Sequence, residues 1–349
     1  MSLSDAVASE TRYPLAHLPT PLQRMERLSA HLGGPRLWVK RDDLTGLGLG
    51  GNKVRKLEYV IPDALEQDAD ILVTAGVAQS NSVRQIAAAA TRVGLDCHVI
   101  QLTDRIDATP AAGPRMGNAM LIPLLGASVQ RMRWTGDRAE AIDHAAAQLV
   151  EAGRRPYIVP YGVSNPLGAI GYVAAAIEMS TQFAAAGIRP KAVVHASGSG
   201  GTQAGLVVGF FDDHVHVVGV DVDAEPGRVR ADVSGIAVQM ANEFGLDARG
   251  VHAAIEVLDG YAGPHYGAVT AATLEAIDLG ARLEGLILDP VYSAKALAAV
   301  IGMARERRFR EHEDVVFIHT GGAPSLLAQP DLLDRIEAAQ APIGEERKS

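Results

Sequence analysis

The chain has 349 residues, 48% of them hydrophobic and 21% charged, which is typical of a globular protein with one large or two ordinary domains. Its formal net charge of −9 argues against nonspecific nucleic-acid binding, and no apolar run reaches the roughly 20 residues that span a bilayer. The single cysteine, Cys97, excludes an intrachain disulfide and a cysteine-built metal site, and residues 1–13 lack the apolar core of a secretory signal, so we expect a cytoplasmic protein.

Short apolar runs alternate with alanine-rich segments along the chain, and they predict strands and helices respectively. In chain order we expect strand 71–74, helix 83–93, strand 97–102, helix 116–125, strand 126–130, helix 142–153 and strand 157–159. The alternation continues with helix 168–186, strand 192–195, helix 203–211, strand 215–222, strand 315–318 and a helix from 325. Continuous apolar strands separated by helices predict an α/β fold with parallel sheets covered on both faces.

The first polar motif is Gly50-Gly51-Asn52-Lys53, in which a lysine follows a glycine-rich turn and opens a predicted helix. Glycines let a backbone approach a ligand closely, and the positive field of a helix N-terminus lowers the pKa of a lysine. A deprotonated lysine is a nucleophile. A solvated helix face is the alternative interpretation of the same residues.

Two further turns suit anion binding. Ser80 and Asn81 precede the helix predicted at 83–93, where free N–H groups bind a carboxylate, although both residue types are also common helix N-caps. The segment 199–202, Ser-Gly-Gly-Thr, lies between a strand and a helix, as a phosphate-binding turn does. Its glycine spacing fits neither a P-loop nor a dinucleotide fingerprint. A lysine, a carboxylate turn and a phosphate turn together favour pyridoxal 5′-phosphate (PLP) as cofactor and a small amino acid as substrate.

Three later positions add hydroxyl groups. Tyr266 and Tyr292 lie in loops marked by glycine or proline, where a tyrosine is either an acid/base group or a structural residue. Thr320 follows a predicted strand and precedes two glycines, which suits contact with a flat ring. His319 beside it is expected to be structural. No residue pattern indicates a metal site.

Taken in order, these motifs resemble the D-cysteine desulfhydrase and 1-aminocyclopropane-1-carboxylate (ACC) deaminase family, whose members are PLP enzymes of fold type II. The similarity runs from His-Leu-Pro-Thr-Pro-Leu at 17–22 to Thr-Gly-Gly at 320–322. It implies two open parallel-sheet domains with helices on both faces. A large PLP-binding domain would comprise 1–49 and 164–349, and a small domain would be inserted at 50–163. The resemblance also implies a homodimer.

The resemblance implies a role for each matching residue. Lys53 would bind PLP covalently and later remove the substrate α-proton. Ser80 and Asn81 would contact the substrate together with Ser82, Ser80 lying near the reacting carbon and Asn81 also bonding the PLP 3′-oxygen. The phosphate would be held by Ser199, Gly200, Gly201 and Thr202. The substrate side would be lined by two catalytic groups, Tyr266 and Tyr292. Near the ring nitrogen would lie Ser293 and Thr320.

Position 293 bears on the reaction. ACC deaminases of the resembled family carry a glutamate there, whose charge keeps the PLP ring nitrogen protonated, whereas Ser293 cannot ionise usefully. A weaker electron sink suffices for a substrate with its own leaving group, so we expect α,β-elimination from a D-cysteine or L-cysteate type of substrate, giving pyruvate and ammonia. The segment 289–295 looks more like L-cysteate sulfo-lyase. Ser82 and His265 depart from the family pattern and leave the substrate open. An ACC deaminase and an amino-acid racemase are the alternatives.

Overall fold

A computed structural model describes residues 2–103, 116–135, 138–213, 215–225 and 227–340. The strands in these ranges are β1 (Leu22–Arg24), β2 (Arg36–Lys40), β3 (Ile71–Gly76), β4 (Asp96–Thr103), β5 (Ser128–Arg133), β6 (Pro156–Ile158), β7 (Ala192–Ser197), β8 (His216–Asp221), β9 (Glu256–Leu258) and β10 (Asp314–Ile318).

The helices begin near the amino terminus and separate most of the strands. They are α1 (Leu3–Ser9), α2 (Glu26–Leu32), α3 (Lys53–Glu66), α4 (Asn81–Val93), α5 (Asn118–Leu124), α6 (Arg138–Glu151), α7 (Pro166–Ala186), α8 (Gly201–Gly209), α9 (Arg228–Glu243), α10 (Ala248–Ala253), α11 (Ala271–Glu284), α12 (Ser293–Arg305), α13 (Ala323–Leu326) and α14 (Leu332–Gln340). Within the described ranges, no helix is both long and apolar enough to cross a membrane.

The larger sheet has six strands in the order β1-β2-β10-β7-β8-β9. Its neighbours pair in parallel except at one edge, where β1 runs antiparallel to β2. All five residues of β10 are buried, because this strand lies between two others and beneath helices on both faces. This arrangement confirms the predicted α/β class and adds an antiparallel edge strand.

The smaller sheet has four parallel strands in the order β5-β4-β3-β6. All six residues of β3 are buried, and its carboxyl end leads toward α4. The apolar residues of α3 and α4 pack on one face of this sheet, whereas those of α6 pack on the other. Both sheets are therefore covered on both faces, as the continuous apolar strands predict.

The strands divide between the sheets according to chain position. The larger sheet draws its strands from the segments 22–40 and 192–318, and the smaller sheet draws them from 71–158. This division is consistent with an inserted small domain. The exact boundaries at 49/50 and 163/164 stay a prediction, and residues 341–349 of the proposed large domain lie outside the described residues.

A buried ion network holds α3 in place. The Arg55 guanidinium donates to both oxygens of Asp42, at 2.9 and 3.0 Å, and to both oxygens of Glu178 on α7. Lys40 also donates to Glu178, and the Tyr172 hydroxyl donates to Asp42 at 2.6 Å. Burial alone would lower the pKa of Arg55, yet the two carboxylates raise it. The helix α3, which begins at Lys53, is thus fixed to α7.

Candidate functional site

A cleft lies where the N-termini of α3, α4 and α8 meet the carboxyl end of β7. Nine of the twelve site residues predicted from the sequence line it: Lys53, Ser80, Asn81, Ser82, Ser199, Gly200, Thr202, Tyr292 and Thr320. The other three, Gly201, Tyr266 and Ser293, adjoin lining residues in the chain or by a hydrogen bond. The structure therefore brings the predicted residues together, while the role of each stays a prediction.

Lys53 is the first residue of α3 and faces the cleft. Burial lowers the pKa of its amine to about 8, and the nearby Lys56 opposes the change. The sequence suggested a helix field as the cause, but desolvation of the amine is the main one. The start of α3 is capped by Gln85 of α4, whose Oε1 accepts the N–H groups of Lys53 at 2.9 Å and Val54 at 3.1 Å.

The glycine-rich turn before Lys53 is held by protein groups. The Thr45 hydroxyl accepts the N–H of Gly51 at 2.7 Å, and Arg84 donates to the carbonyl of Gly50 at 2.9 Å. Gly51 has a φ of 125°, and a Cβ there would lie 2.7 Å from Nε2 of Gln85. The sequence suggested that these glycines admit a ligand. At Gly51 the close approach is instead to the side chain that caps α3.

The turn at the start of α4 presents three polar side chains. Ser80 is the N-cap, and its hydroxyl accepts the N–H of Val83 at 3.2 Å. The amide oxygen of Asn81 accepts a hydrogen bond from Asn118 at 2.8 Å, which leaves the amide nitrogen of Asn81 for a ligand. The Ser82 hydroxyl is buried and has no hydrogen-bond partner among the described residues. Asn118 carries no sequence signal, because it lies 37 residues from its partner.

The turn at 199–202 connects β7 to α8. Its N-cap, Gly200, has a φ of 81° and offers no side-chain acceptor. The N–H of Gly201 donates to the Ser164 hydroxyl at 3.2 Å, and the N–H groups that follow it in the first turn of α8 are the ones suited to an anion. The Thr202 hydroxyl accepts from Asn52 at 3.1 Å, which joins this turn to the lysine turn. Gly201 does not line the cleft, and a Cβ built on it would lie 2.8 Å from Nζ of Lys56.

A second buried lysine lies behind this turn. Lys56 donates to the carbonyl of Gly162 at 3.2 Å and to the hydroxyl of Ser164 at 3.1 Å, and Ser164 is hydrogen-bonded to Ser199 at 2.8 Å. Burial, followed by the charge of Lys53, lowers the pKa of Lys56. In the sequence, Lys56 simply follows Lys53 by three residues. In the structure it fixes the segment 162–164 to the 199–202 turn.

Two tyrosines form a pair at the cleft: Tyr292 lines it, and Tyr266 contacts Tyr292. The hydroxyls of Tyr266 and Tyr292 share a hydrogen bond, and their ring centroids are 6.2 Å apart. Burial, followed by the neighbouring phenols of Tyr266 and Tyr161, raises the pKa of Tyr292. Tyr292 therefore keeps its proton at neutral pH. Tyr161 also lines the cleft, and it belongs to no motif identified from the sequence.

A buried carboxylate organises the segment that carries Tyr292. Asp289 accepts the N–H groups of Val291, Tyr292 and Ser293, and its Oδ1 accepts the Ser293 hydroxyl at 2.6 Å. Ser293 is fully buried and does not line the cleft, so its hydroxyl serves Asp289 in this structure. Thr320 does line the cleft.

His319, interpreted from the sequence as structural, is buried with both ring nitrogens near backbone groups. Its Nε2 lies 3.1 Å from the carbonyl of Ile287, and its Nδ1 accepts the N–H of Gly321 at 3.2 Å. A second buried histidine is His195 on β7, whose pKa is lowered to about 4 by burial, and burial also lowers the pKa of His319. Both imidazoles are therefore neutral at physiological pH.

Comparison with known proteins assigns the chain to a family. The sequence profile described as "Pyridoxal-phosphate dependent enzyme" matches residues 13–321. The chain is 42% identical over 330 residues to a D-cysteine desulfhydrase of Serratia proteamaculans, covering 94% of this chain and 98% of that protein. It is 43% identical over 325 residues to an ACC deaminase of Burkholderia multivorans, covering 91% and 96%.

Solved structures give the same result for the fold. The crystal structure of an ACC deaminase homologue superposes with a TM-score of 0.85 at 31% identity, covering 97% of this chain and all of that one. Threonine deaminase isoform 2 from Solanum lycopersicum superposes with a TM-score of 0.67 at 18% identity, which shows a shared fold. These comparisons confirm the resemblance inferred from the motifs.

Proposed function

The chain belongs to the family of PLP-dependent enzymes, and we propose that it is a carbon–sulfur lyase that eliminates the β-substituent of an amino acid. The products would be pyruvate, ammonia and the sulfur-containing leaving group of a D-cysteine or L-cysteate type of substrate. The D-cysteine desulfhydrase relatives support this reaction class. The main structural support is that no Asp or Glu is among the described residues that line the cleft.

The residues present fit PLP. Ser197 carries a buried hydroxyl with no hydrogen-bond partner among the described residues, and it lines the cleft. Such groups are costly unless a ligand completes their hydrogen bonds. Lys53 would attach the cofactor, and the first turn of α8 with Ser199 and Thr202 would hold its phosphate. In the remaining positions Asn81 would bond the ring oxygen, and Thr320, with Ser293 behind Tyr292, would lie on the ring-nitrogen side.

The bound cofactor would withdraw electrons from the substrate Cα and so make its proton acidic. The Lys53 amine, with a pKa of about 8, is the base that removes this proton. Ser80 and the N-terminus of α4 bind the substrate carboxylate, because a helix N-terminus favours negative charge. Tyr292 keeps its proton, and it orients the substrate together with Tyr266.

Elimination is favoured over ring opening because no carboxylate is among the described residues that line the cleft. Ring opening of a cyclopropane needs a strong electron sink, which a carboxylate beside the ring nitrogen would provide. At the family position of that carboxylate this chain has Ser293, and the nearby lining residue is Thr320. ACC deaminase is kept as the second candidate, because relatives with that name are as similar to the chain as the desulfhydrases.

The test is oxo-acid release by the purified, PLP-loaded protein with D-cysteine, L-cysteate and ACC offered separately. Pyruvate from either of the first two supports elimination, whereas 2-oxobutanoate from ACC contradicts the argument from the described lining residues. Lys53→Ala should lose both the visible absorbance of bound PLP and the activity. Lys191→Ala, at an exposed lysine, is the matched control and should retain both. A PLP-free, colourless wild-type protein would contradict the cofactor assignment.

We also propose that the protein is a cytoplasmic homodimer. Exposed apolar side chains support an association surface, among them Leu124 at 73%, Leu327 at 67% and Leu333 at 71% exposure. The single thiol, Cys97, is buried and free, which suits a reducing compartment. Sedimentation equilibrium tests the dimer, and a mass equal to one chain at micromolar concentration contradicts it. Cell fractionation tests the location.

A further inference from the structure

Tyr161 occupies the cleft beside the proposed catalytic groups. It lies in the 3-10 turn Tyr161–Val163, is half-buried, and lines the cleft together with Lys53 and Tyr292. Its phenol is close enough to Tyr292 to act on that residue electrostatically. A phenol in this position belongs to the substrate side, because Tyr292 borders the same side.

The backbone that carries Tyr161 is held in an unfavourable conformation. Gly162 has a φ of 67° and Val163 a φ of 52°, a region that a β-branched residue rarely adopts. Lys56 secures the turn through the Gly162 carbonyl, and a Cβ at Gly162 would lie 2.1 Å from the hydroxyl of Ser199. Such strain persists only where surrounding contacts fix it, and it is concentrated at functional sites. The position of Tyr161 is therefore fixed relative to the 199–202 turn.

Ser82 carries a further hydroxyl in the same cleft, and this hydroxyl has no partner among the described residues. The Ser82 side chain is 8% exposed. Ser82 lies in the first turn of α4, and α4 packs against the turn that carries Tyr161. A buried hydroxyl without a partner in the protein is satisfied by a polar group of a ligand.

We propose that Tyr161 and Ser82 bind the β-substituent of the substrate and select a substituent with oxygen acceptors, such as a sulfonate, over a thiol. This inference rests on the proposed elimination. Phenol and serine hydroxyls donate well to sulfonate oxygens, whereas sulfur is a weak acceptor. No carboxylate in the described lining opposes a negative substituent, and the N-terminus of α4 favours one.

The chemistry balances for a sulfonate substrate. L-Cysteate and water give pyruvate, ammonia and sulfite. The Cβ–S bond breaks, and its electron pair leaves with the sulfur, so no external oxidant or reductant is needed. Tyr161 and Ser82 donate hydrogen bonds to sulfonate oxygens and transfer no proton. Ser80 and Asn81 remain the residues for the substrate carboxylate.

The activity test compares L-cysteate, L-cysteine and β-chloro-L-alanine with the PLP-loaded protein. Tyr161→Phe removes only the hydroxyl, and we expect kcat/KM for L-cysteate to fall roughly tenfold more than that for β-chloro-L-alanine. Ser82→Ala should act in the same direction. Tyr157→Phe is the matched control, because the Tyr157 hydroxyl donates to Asp63 and does not line the cleft. An equal fall for all three substrates, or a wild-type preference for L-cysteine, overturns the inference.

A binding test separates this inference from the proposed function. 3-Sulfopropanoate carries a carboxylate and a sulfonate but no amine, so it binds without turnover. Calorimetry on the PLP-loaded protein should show it binding more tightly than 3-mercaptopropanoate, and Tyr161→Phe should weaken its affinity roughly tenfold. Tight binding without pyruvate release from any amino acid would contradict the lyase proposal alone. Equal affinity for the two acids would contradict the role of Tyr161.

Discussion

Replacement of Asp289 tests whether one buried carboxylate holds the segment that carries Tyr292. The carboxylate accepts N–H groups at 2.8 Å from Ser293, 3.0 Å from Tyr292 and 3.1 Å from Val291, together with the Ser293 hydroxyl. Asp289→Ala leaves these donors without an acceptor. Ser293 is fully buried, so at least its two donors cannot turn to water.

The magnitude follows from those two donors. An unsatisfied buried donor costs about 1–3 kcal/mol, so the pair costs about 2–6 kcal/mol. Removing the carboxylate also removes its own desolvation cost, which raises the pKa of Asp289 in the folded protein. We therefore expect Asp289→Ala to lower the free energy of unfolding by about 2–4 kcal/mol, a large part of a typical total of about 5–15 kcal/mol.

Urea unfolding followed by far-ultraviolet circular dichroism measures this loss. The PLP concentration must be the same for every variant, because a ligand that binds only the folded state adds to stability. Asp289→Asn keeps the shape and one acceptor oxygen, so its loss should be smaller. Ser293→Ala removes one donor to the carboxylate and also the acceptor of the Asp289 N–H, at 2.8 Å. The three N–H donors to the carboxylate remain, so the loss should be about 1–2 kcal/mol, smaller than that of Asp289→Ala. A change below about 0.5 kcal/mol for Asp289→Ala, or an equal loss for Ser293→Ala, would refute the reasoning.

Three further predictions concern the buried basic residues. The rate at which cofactor-free protein takes up PLP should rise with pH around a midpoint of about 8, because burial lowers the pKa of Lys53 and only the free amine reacts. Stopped-flow absorbance measures this rate, and a midpoint near 10.5 contradicts the prediction. Arg55→Met should lower the free energy of unfolding by about 3–5 kcal/mol in urea titrations, against less than about 1 kcal/mol for the exposed Arg282→Met. Lys295→Met should lower kcat roughly tenfold while the bound-PLP absorbance remains. The reason is that Lys295 donates to the Ala262 carbonyl at 2.6 Å and so connects the loop that carries Tyr266 to α12. An unchanged kcat would contradict this role of Lys295.

Much of the fold was predictable because strands and helices leave local patterns. The run predicted at 71–74 is part of β3, and the helix predicted at 83–93 lies within α4. The strand β2, which ends at Lys40, was not among the predicted strands. The strands β1 (Leu-Gln-Arg) and β9 (Glu-Val-Leu) have at most two consecutive apolar residues, so they lack the apolar run that marks the equally short β6.

The site was predictable where its residues lie in contiguous motifs, and not where the fold brings distant residues together. Lys53 and Ser80 stand in turns that the sequence marks with glycine or with N-cap residues. Tyr161 reaches the cleft, and Asn118 reaches Asn81, only through tertiary packing, and no nearby residue marks either of them. The position of Ser293 also needed the structure, because its hydrogen bond to Asp289 cannot be deduced from spacing alone.

The contact between Gly51 and Gln85 has a consequence for how this protein can vary. A single glutamine oxygen caps the helix that begins at Lys53, and the same side chain lies against the bare α-carbon of Gly51. A larger residue at position 51 would displace the cap, and a different residue at 85 would remove it. The two positions should therefore change together, if at all, in a mutational library. Grafting the Gly50–Lys53 segment onto another scaffold should fail unless the glutamine is transplanted with it.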